Sequence, residues 1–180
     1  MTHPPVGAGM PMGKGAEFDA IRRLLAVWGD RAEGIGDDAA TLALTPGAQL
    51  VASVDATVEG VHFRPGWLSA EEIGWRATAA ALSDLAAMAA RPLGVLVALE
   101  LPYAWRDRLE SLAEGIGAAC AAVGAPIVGG NMTAGTHLAL TLTVLGEAER
   151  PLHRRGARVG DAVYVTGALG GPGAALAAWA

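Results

Sequence analysis

The sequence predicts a mixed α/β fold (α+β) in which helices cover one face of a sheet of about four main strands. Residues 16–28 carry apolar side chains at helical spacing, with two arginines on the opposite side. Residues 138–149 alternate between apolar and polar side chains, and residues 93–102 form an almost unbroken apolar run, two patterns typical of strands. The combination of helical and extended segments in one chain predicts the fold class.

The first part of the chain is predicted to hold one helix and two strands. The helix spans residues 16–28, and the short segment AATLAL, residues 39–44, is a strand candidate. A Pro-Gly turn follows, and residues 49–63 are predicted to form a longer strand with an irregular end.

A second helix is predicted over residues 70–90. Ser69 is the expected N-cap, and Glu72 at the third following position completes a capping box. Pro92 ends the helix, because proline cannot continue the hydrogen-bonded helical ladder.

The central part of the chain is predicted to alternate strands with a further helix. The apolar strand 93–102 precedes a helix over about 105–123, which Gly124 and Pro126 stop. The segment PIVGG is predicted as a strand that ends in a glycine pair, and NMTAGTH as a loop before the strand 138–149.

The composition places the chain among globular proteins and excludes several function classes. The chain has 180 residues, of which 52% are hydrophobic and 17% charged, with a formal net charge of −5. Such a charge provides no basic field for nucleic acid or for an anionic membrane. Neither a secretory signal nor a membrane span is predicted, and we expect a cytoplasmic protein. The single Cys120 excludes an internal disulfide and is expected to be an inert buried thiol.

Acidic side chains occur at predicted strand ends and in glycine-rich segments. They are Asp37, Asp38, Asp55, Glu59 and Asp84. Taken alone, the Asp37–Asp38 pair in GIGDDAATL is more often an Asx-type turn than a ligand site. Ser53, Asp55 and Thr57 lie two residues apart on one strand, so their side chains share a face.

Asp84 lies within an alanine-rich helix, where we expect another part of the protein to pack tightly against it. A buried carboxylate requires a cation or several hydrogen-bond donors. A simple ion pair with Arg91 is one possibility. The other is a site that Asp84 shares with Asp55 and the Asp37–Asp38 pair, most naturally for Mg²⁺ ions that hold phosphates.

Three further residues are candidates for ligand contacts. His62 stands in EGVHF at a predicted strand end, where a lone histidine is more often a local hydrogen-bonding residue than a catalyst. Gly129 and Gly130 close a predicted buried strand and permit a close backbone approach to a phosphate, although such pairs also occur in ordinary turns.

The motifs, taken in order, resemble the thiamine-monophosphate kinase family. These are GIGDDAATL, SVDATVEGVHF, LSDLAAMAARPLGVLVALELP, IVGGNMTAG and HRRGARVGDAVYVTG. The resemblance covers residues 16–180, and LSDLAAM and VEGVHF carry most of its specificity. The family belongs to the ATP-binding superfamily that includes aminoimidazole ribonucleotide synthetase and selenophosphate synthetase.

The resemblance implies a fold, an activity and an assembly. The fold would be the N-terminal domain of the aminoimidazole ribonucleotide synthetase-like fold, with sheets that join across a homodimer. The activity would be Mg²⁺-assisted in-line phosphoryl transfer from ATP to thiamine monophosphate, which yields thiamine diphosphate. The alternatives are another ATP-dependent phosphotransferase or synthetase of the superfamily, or a non-catalytic Mg²⁺-nucleotide-binding dimerisation module.

The resemblance also implies roles for individual residues. The implied ligands of several Mg²⁺ ions are Asp38, Ser53, Val54 through its backbone, Asp55, Asp84 and Asn131. His62 matches a substrate-contacting position, and the implied ATP contacts are Gly130, Asn131 and Arg154. No catalytic side chain is assigned, because the bound metal ions would assist the transfer.

One loop departs from the family pattern. The family has GGD followed by Thr-Thr-Arg or similar residues, whereas this chain has GGNMTAG. Asn131 therefore replaces a metal-binding aspartate, and we expect one metal ion to bind more weakly there.

The predicted domain organisation follows from these patterns. Residues 1–15, rich in proline and glycine, are expected to be a flexible segment, and residues 16–149 an ATP- and Mg²⁺-binding domain. The arginine-rich segment after residue 149 precedes a predicted strand at 161–167 and a helix that runs to residue 180. We expect residues 150–180 to begin a truncated second domain.

Overall fold

The computed structural model describes residues 15–179, in which four strands form one sheet. The helices and strands are α1 Ala16–Trp28, β1 Gln49–Val58, α2 Ala70–Ala87, β2 Arg91–Leu101, α3 Leu109–Ala122, β3 Ile127–Ala134, β4 Ala139–Ala148 and α4 Gly171–Trp179. Short 3₁₀ helices span Gly29–Arg31, Tyr103–Arg108 and Arg154–Gly156. The predicted flexible segment lies outside the described residues, apart from Gly15.

The sheet is mixed, with the strand order β1-β4-β2-β3. Strand β4 runs antiparallel to both of its neighbours, β1 and β2, whereas β2 and β3 are parallel. One row of paired residues crosses the whole sheet, from Asp55 through Leu142 and Val97 to Gly130. The mixed sheet with helices confirms the predicted fold class.

Helices cover one face of the sheet. On that face the side chains of β2 and β4 form the core and are at most 4% exposed: Val95, Val97, Leu99, Leu140, Leu142 and Val144. Helix α2 packs against β1 and β4, and α3 packs against α2. Alternate residues of β1 point to the opposite face, where Val54 is 63% exposed.

Two glycines let α2 and α3 come into very close contact. A Cβ atom at Gly115 would lie 1.9 Å from the carbonyl oxygen of Glu71, and one at Gly74 would lie 2.2 Å from that of Leu112. Both distances are far shorter than any real Cβ contact. The two helices therefore pack backbone against backbone.

The predicted start of α2 is confirmed. The Ser69 hydroxyl accepts a hydrogen bond from the Glu72 backbone N–H at 3.2 Å, and the Glu72 carboxylate accepts one from the Ser69 N–H at 2.8 Å. The helix ends at Ala87 rather than at residue 90, because Ala89 adopts a left-handed backbone conformation with φ of 53°.

Three predictions about extended segments are wrong. Residues 39–44 and 161–167 form no strand, and β3 continues through residues 131–134, which were predicted to be a loop. Within the described residues, the first two segments have no neighbouring strand to pair with and are largely exposed. The third segment pairs in parallel with β2 as far as Leu101, and this pairing extends β3 beyond the glycine pair.

Among the described residues, none of the helices is long and apolar enough to cross a membrane.

Candidate functional site

A cavity of about 630 Å³ lies between α1, the turn at Asp37–Asp38 and the adjacent strands β2 and β3. Its polar side is formed by Gly36, Asp37, Asp38, Gly129, Gly130 and Asn131. Its apolar side includes Phe18, Leu25 and Trp28 of α1. The volume is in the range of small-molecule sites. The cavity brings together three residues that the resemblance implies, namely Asp38, Gly130 and Asn131.

Within the turn, the two carboxylates have different surroundings. Asp37 Oδ1 accepts a hydrogen bond from the Asp38 backbone N–H at 2.9 Å, so Asp37 helps to fix the turn. The flanking glycines have positive φ angles, 64° at Gly34 and 137° at Gly36. The Asp38 side chain is exposed and forms no ion pair within residues 15–179, so it is available to a ligand.

Gly130 gives the cavity a wall of bare backbone. A Cβ atom at this position would lie 2.0 Å from the carbonyl oxygen of Val97 on the neighbouring strand. No other residue fits there without separating β2 from β3. The packing of β3 against β2 therefore requires glycine at position 130, whether or not a phosphate binds there.

A second polar group lies at β1, on the face covered by α2. The Ser53 hydroxyl donates a hydrogen bond of 2.6 Å to Asp84 Oδ2. Asp55 lies two residues after Ser53 on the same face, as its position on the strand predicts. Ser53, Asp55 and Asp84 form the β1 group.

The alternative prediction, an ion pair between Asp84 and Arg91, is wrong, because Arg91 pairs with Glu147. Asp84 forms no ion pair within the described residues. The expectation that another part of the protein packs tightly against Asp84 is also wrong. The side chain is exposed, since it lies in the last turn of α2 beside the edge strand of the sheet.

The β1 group and the cavity lie at opposite edges of the sheet. Asp55 and Gly130 belong to the same row of paired residues but are three strand spacings apart, ~14 Å. Within residues 15–179, no three His, Cys, Asp or Glu side chains are close enough to hold one metal ion. The implied ligands therefore divide into two groups in this protomer.

The remaining implied residues lie outside both groups. Val54 is on the exposed face of β1, and Arg154 is exposed in the 3₁₀ helix Arg154–Gly156. His62 lies in the turn that follows β1, with its ring exposed. Its Nδ1 atom accepts a hydrogen bond from the Val58 backbone N–H at 3.0 Å, which agrees with the predicted local hydrogen-bonding role.

Sequence reasoning missed the surroundings of Glu147. This carboxylate is 5% exposed and accepts hydrogen bonds from the Thr45 N–H and hydroxyl, both at 2.7 Å, and from Arg91. Mainly through the Thr45 backbone donor, these bonds lower its pKa to about 2. No local signal could have revealed this cluster, because Thr45 and Glu147 lie 102 residues apart. Cys120 is buried, as predicted, and its burial raises the thiol pKa to about 12.

Comparison with known proteins identifies relatives of the chain. Residues 36–148 match the family AIR synthase related protein, N-terminal domain. The thiamine-monophosphate kinase of Synechococcus elongatus is 42% identical over 142 residues, which are 77% of this chain and 43% of that protein.

Two solved structures are similar in fold as well. The thiamine-monophosphate kinase from Stenotrophomonas maltophilia has 41% identity and a TM-score of 0.61, over 74% of this chain and 42% of that one. AaThiL complexed with AMPPCP and TMP has 29% identity and a TM-score of 0.61, over 86% of this chain and 49% of that one.

These matches confirm the resemblance that the motifs indicate. The chain spans less than half of the Synechococcus and Stenotrophomonas proteins. The match alone therefore does not assign the activity of those whole proteins to this chain. The match to the family covers well over half of the 180 residues. The chain belongs to the AIR synthase related protein family and contains its N-terminal domain.

Proposed function

We propose that the protein phosphorylates thiamine monophosphate to thiamine diphosphate with ATP, and that residues 16–149 form its ATP- and Mg²⁺-binding domain. The cavity beside Gly130 carries this proposal. It is lined by the bare backbone of Gly130, by Asp38 and by Asn131, at a volume suited to a small molecule. AaThiL, which has the same fold, was solved with an ATP analogue and TMP.

The side chains present fit Mg²⁺. Asp38, Asp55 and Asp84 offer carboxylate oxygens and Ser53 a hydroxyl, which are the hard oxygen ligands that this ion takes. We propose that they hold Mg²⁺ together with Asn131 and the Val54 backbone, and that Gly130, Asn131 and Arg154 contact ATP. Because the two groups lie on opposite sheet edges, each would hold its own ion.

The acceptor determines which chemistry these residues must provide. A phosphate monoester has a second pKa of about 6 and is therefore mostly a dianion at pH 7. Its oxygen needs no strong general base. Bound Mg²⁺ would neutralise the phosphate charges, while the protein side chains hold and orient the two substrates. His62 is in our proposal a substrate-positioning residue.

We also propose that the protein is a homodimer through the exposed sheet face. Most residues on that face are small or apolar, although Glu100, Asn131 and Glu147 also lie on it. The small or apolar ones include Leu50, Ala52, Val54, Ala56, Leu96, Ala98, Thr141, Thr143 and Leu145. Exposed apolar patches of this kind mark interaction surfaces. The cytoplasmic location and the division at residue 149 remain predictions from the sequence.

The direct test is incubation of the purified chain with MgATP and thiamine monophosphate, followed by chromatography. We expect thiamine diphosphate above the no-enzyme control, and none when EDTA removes the metal. A folded chain that forms ADP only with a different acceptor would instead be another phosphotransferase of the family. A folded chain that binds Mg²⁺-AMPPCP without turnover of any acceptor would be a non-catalytic module.

A further inference from the structure

The turn that follows β1 is held by a carboxylate to which the proposed function gives no role. Glu59 Oε2 accepts two hydrogen bonds, from the Trp105 indole N–H at 2.9 Å and from the Leu138 backbone N–H at 3.0 Å. The Glu59 backbone N–H in turn donates to the Leu138 carbonyl oxygen at 2.9 Å. Glu59 thus joins the end of β1 to the start of β4 and to the 3₁₀ helix Tyr103–Arg108.

An aromatic pair encloses the other side of this contact. Phe63 and Trp105 are 2% and 5% exposed, and their rings meet edge to face at 6.2 Å. The Phe63 carbonyl oxygen accepts from the Gly60 N–H at 2.8 Å, where glycine takes a φ of 80°. Residues 59–63 therefore form a closed turn with both ends anchored in the core.

His62 lies within that turn and has little freedom. Its backbone N–H donates to the Val58 carbonyl at 2.8 Å, and its carbonyl accepts from Arg76 at 3.1 Å. Its Nδ1 accepts from the Val58 backbone N–H, which is always a donor, so the neutral ring must carry its proton on Nε2. Within residues 15–179, the bond from Val58 is the one hydrogen bond of the His62 ring, so the Nε2–H has no protein acceptor.

We propose that Glu59, with Trp105, is a positioning residue that holds the 59–63 turn so that His62 presents a fixed Nε2–H donor to an anionic oxygen of the substrate, namely its phosphate. The inference rests on the proposed function for the identity of that substrate. A ring locked with its donor outward can bind an anion but cannot accept a proton from it at Nε2. Glu59 contributes through geometry, not through contact with the substrate.

The first measurement is the tautomer of His62, read from long-range ¹H–¹⁵N NMR correlations of the 180-residue chain at pH 8.5. The signal is assigned by its loss in His62→Asn. We expect the Nε2–H form in the wild type. In Glu59→Ala the ratio of Nε2–H to Nδ1–H should fall about fivefold, the factor that corresponds to one ordinary hydrogen bond.

Three variants separate positioning from general stability. Glu59→Gln keeps an oxygen acceptor and should retain the wild-type tautomer. Trp105→Phe keeps the aromatic packing but removes one donor, and should shift the ratio in the same direction as Glu59→Ala. Glu114→Ala removes the Arg31 contacts of 2.9 and 3.0 Å, which involve no residue of the turn, and should leave the ratio unchanged.

The second measurement follows the His62 Nε2–H signal during titration with thiamine monophosphate, and with inorganic phosphate as a separate probe. We expect a saturable shift with thiamine monophosphate. The affinity should fall about tenfold in Glu59→Ala, because a hydrogen bond from His62 to a charged phosphate is stronger than one between neutral groups. It should be unchanged in Glu59→Gln. A shift with inorganic phosphate alone would support the anion contact while refuting thiamine monophosphate as the ligand.

The outcomes separate this proposal from the proposed function. A predominant Nδ1–H form, or a ratio that Glu59→Ala leaves unchanged, would overturn the role of Glu59 even if thiamine diphosphate is formed. Equal losses of binding in Glu59→Ala and Glu114→Ala would also overturn it, because the effect would then be general destabilisation. A failed kinase assay with the expected tautomer results would refute only the proposed function.

Discussion

Asp84 is the residue at which a structural role and a ligand-binding role are most easily told apart. Its only side-chain partner among the described residues is the Ser53 hydroxyl, at 2.6 Å, and the carboxylate is exposed. Such a side chain contributes little to folding, since substitutions at surface positions usually change stability by less than about 0.5 kcal/mol. Its carboxylate charge is therefore available for a ligand.

We predict that Asp84→Asn weakens Mg²⁺ binding by about 10- to 100-fold, the range found for changes around metal ligands. Asparagine keeps an oxygen that can accept from Ser53, so the urea midpoint should hardly move. Calorimetric titration with MgCl₂ and urea unfolding measure the two effects. Asp107→Asn, at an exposed position in the 3₁₀ helix, is the matched control. Unfolding of the variant with intact Mg²⁺ affinity would mean that Asp84 has a structural and not a metal-binding role.

Glu147 should make the fold sensitive to acid. Its folded-state pKa of about 2 lies below the ordinary 4.5, so its contribution to stability is fully present above about pH 4.5. That contribution is lost as the pH falls from about 4.5 towards 2. We predict that Glu147→Gln lowers stability at pH 7 and flattens its decline across this window, measured by urea unfolding at successive pH values.

The control for that series is Glu149→Gln, because Glu149 is an exposed carboxylate just after β4. It should follow the wild-type pH dependence. If Glu147→Gln follows the wild type equally closely, the contacts with Thr45 and Arg91 do not hold the carboxylate in its charged form.

At this scale, the sequence could predict residue types and local geometry but not distances. The alternation on β1 correctly predicted that Ser53 and Asp55 share a face. It could not predict that Asp55 and Gly130 lie at opposite edges, because that depends on strand order, which only long-range pairing sets. The Asp84–Arg91 pair failed for the same reason, since Glu147 reaches Arg91 across the β2–β4 ladder.

At the scale of helices and strands, α2 and α3 pack backbone against backbone. Gly115 leaves room for the Glu71 carbonyl, where a Cβ atom would lie at 1.9 Å. Alanine would raise helix propensity by about 1 kcal/mol over glycine. A backbone carbonyl at that distance cannot rotate away as a side chain could, so the clash should outweigh the propensity gain.

We therefore predict that Gly115→Ala destabilises the protein by about 1–3 kcal/mol, the range for overpacked sites. Thermal and urea unfolding give the value. Ser111→Ala, on the exposed side of the same helix, should be neutral or slightly stabilising. A stabilised Gly115→Ala variant would mean that the helices can separate without cost.

Helix predictions succeeded better than strand predictions for a physical reason. The capping box at Ser69 and the apolar periodicity of α1 are local signals that a helix satisfies within itself. A strand needs a partner, and residues 39–44 and 161–167 have strand-like composition without one among the described residues. Conversely, β3 extends past its glycine pair because β2 supplies a partner as far as Leu101.

For the molecule as a whole, the exposed sheet face is the proposed interface of a homodimer. If two sheets join there, the chain should sediment as a dimer of two 18.2 kDa chains. Ala52→Glu adds a charge to that face, on the edge strand β1, and should yield monomers in analytical ultracentrifugation, because unpaired buried charges are costly. Ala122→Glu, at an exposed position of α3, should remain dimeric. A wild-type monomer would refute the proposed interface.

We propose that this chain supplies the ATP- and metal-binding part of a thiamine monophosphate kinase. The most direct measurement uses a chimera in which residues 16–180 replace the matching part of the Synechococcus elongatus protein, to which 142 residues align. We predict Mg²⁺-dependent formation of thiamine diphosphate, reduced at least about tenfold by Asp84→Asn. A folded chimera that forms none, while the unaltered Synechococcus protein does so in the same assay, would contradict it.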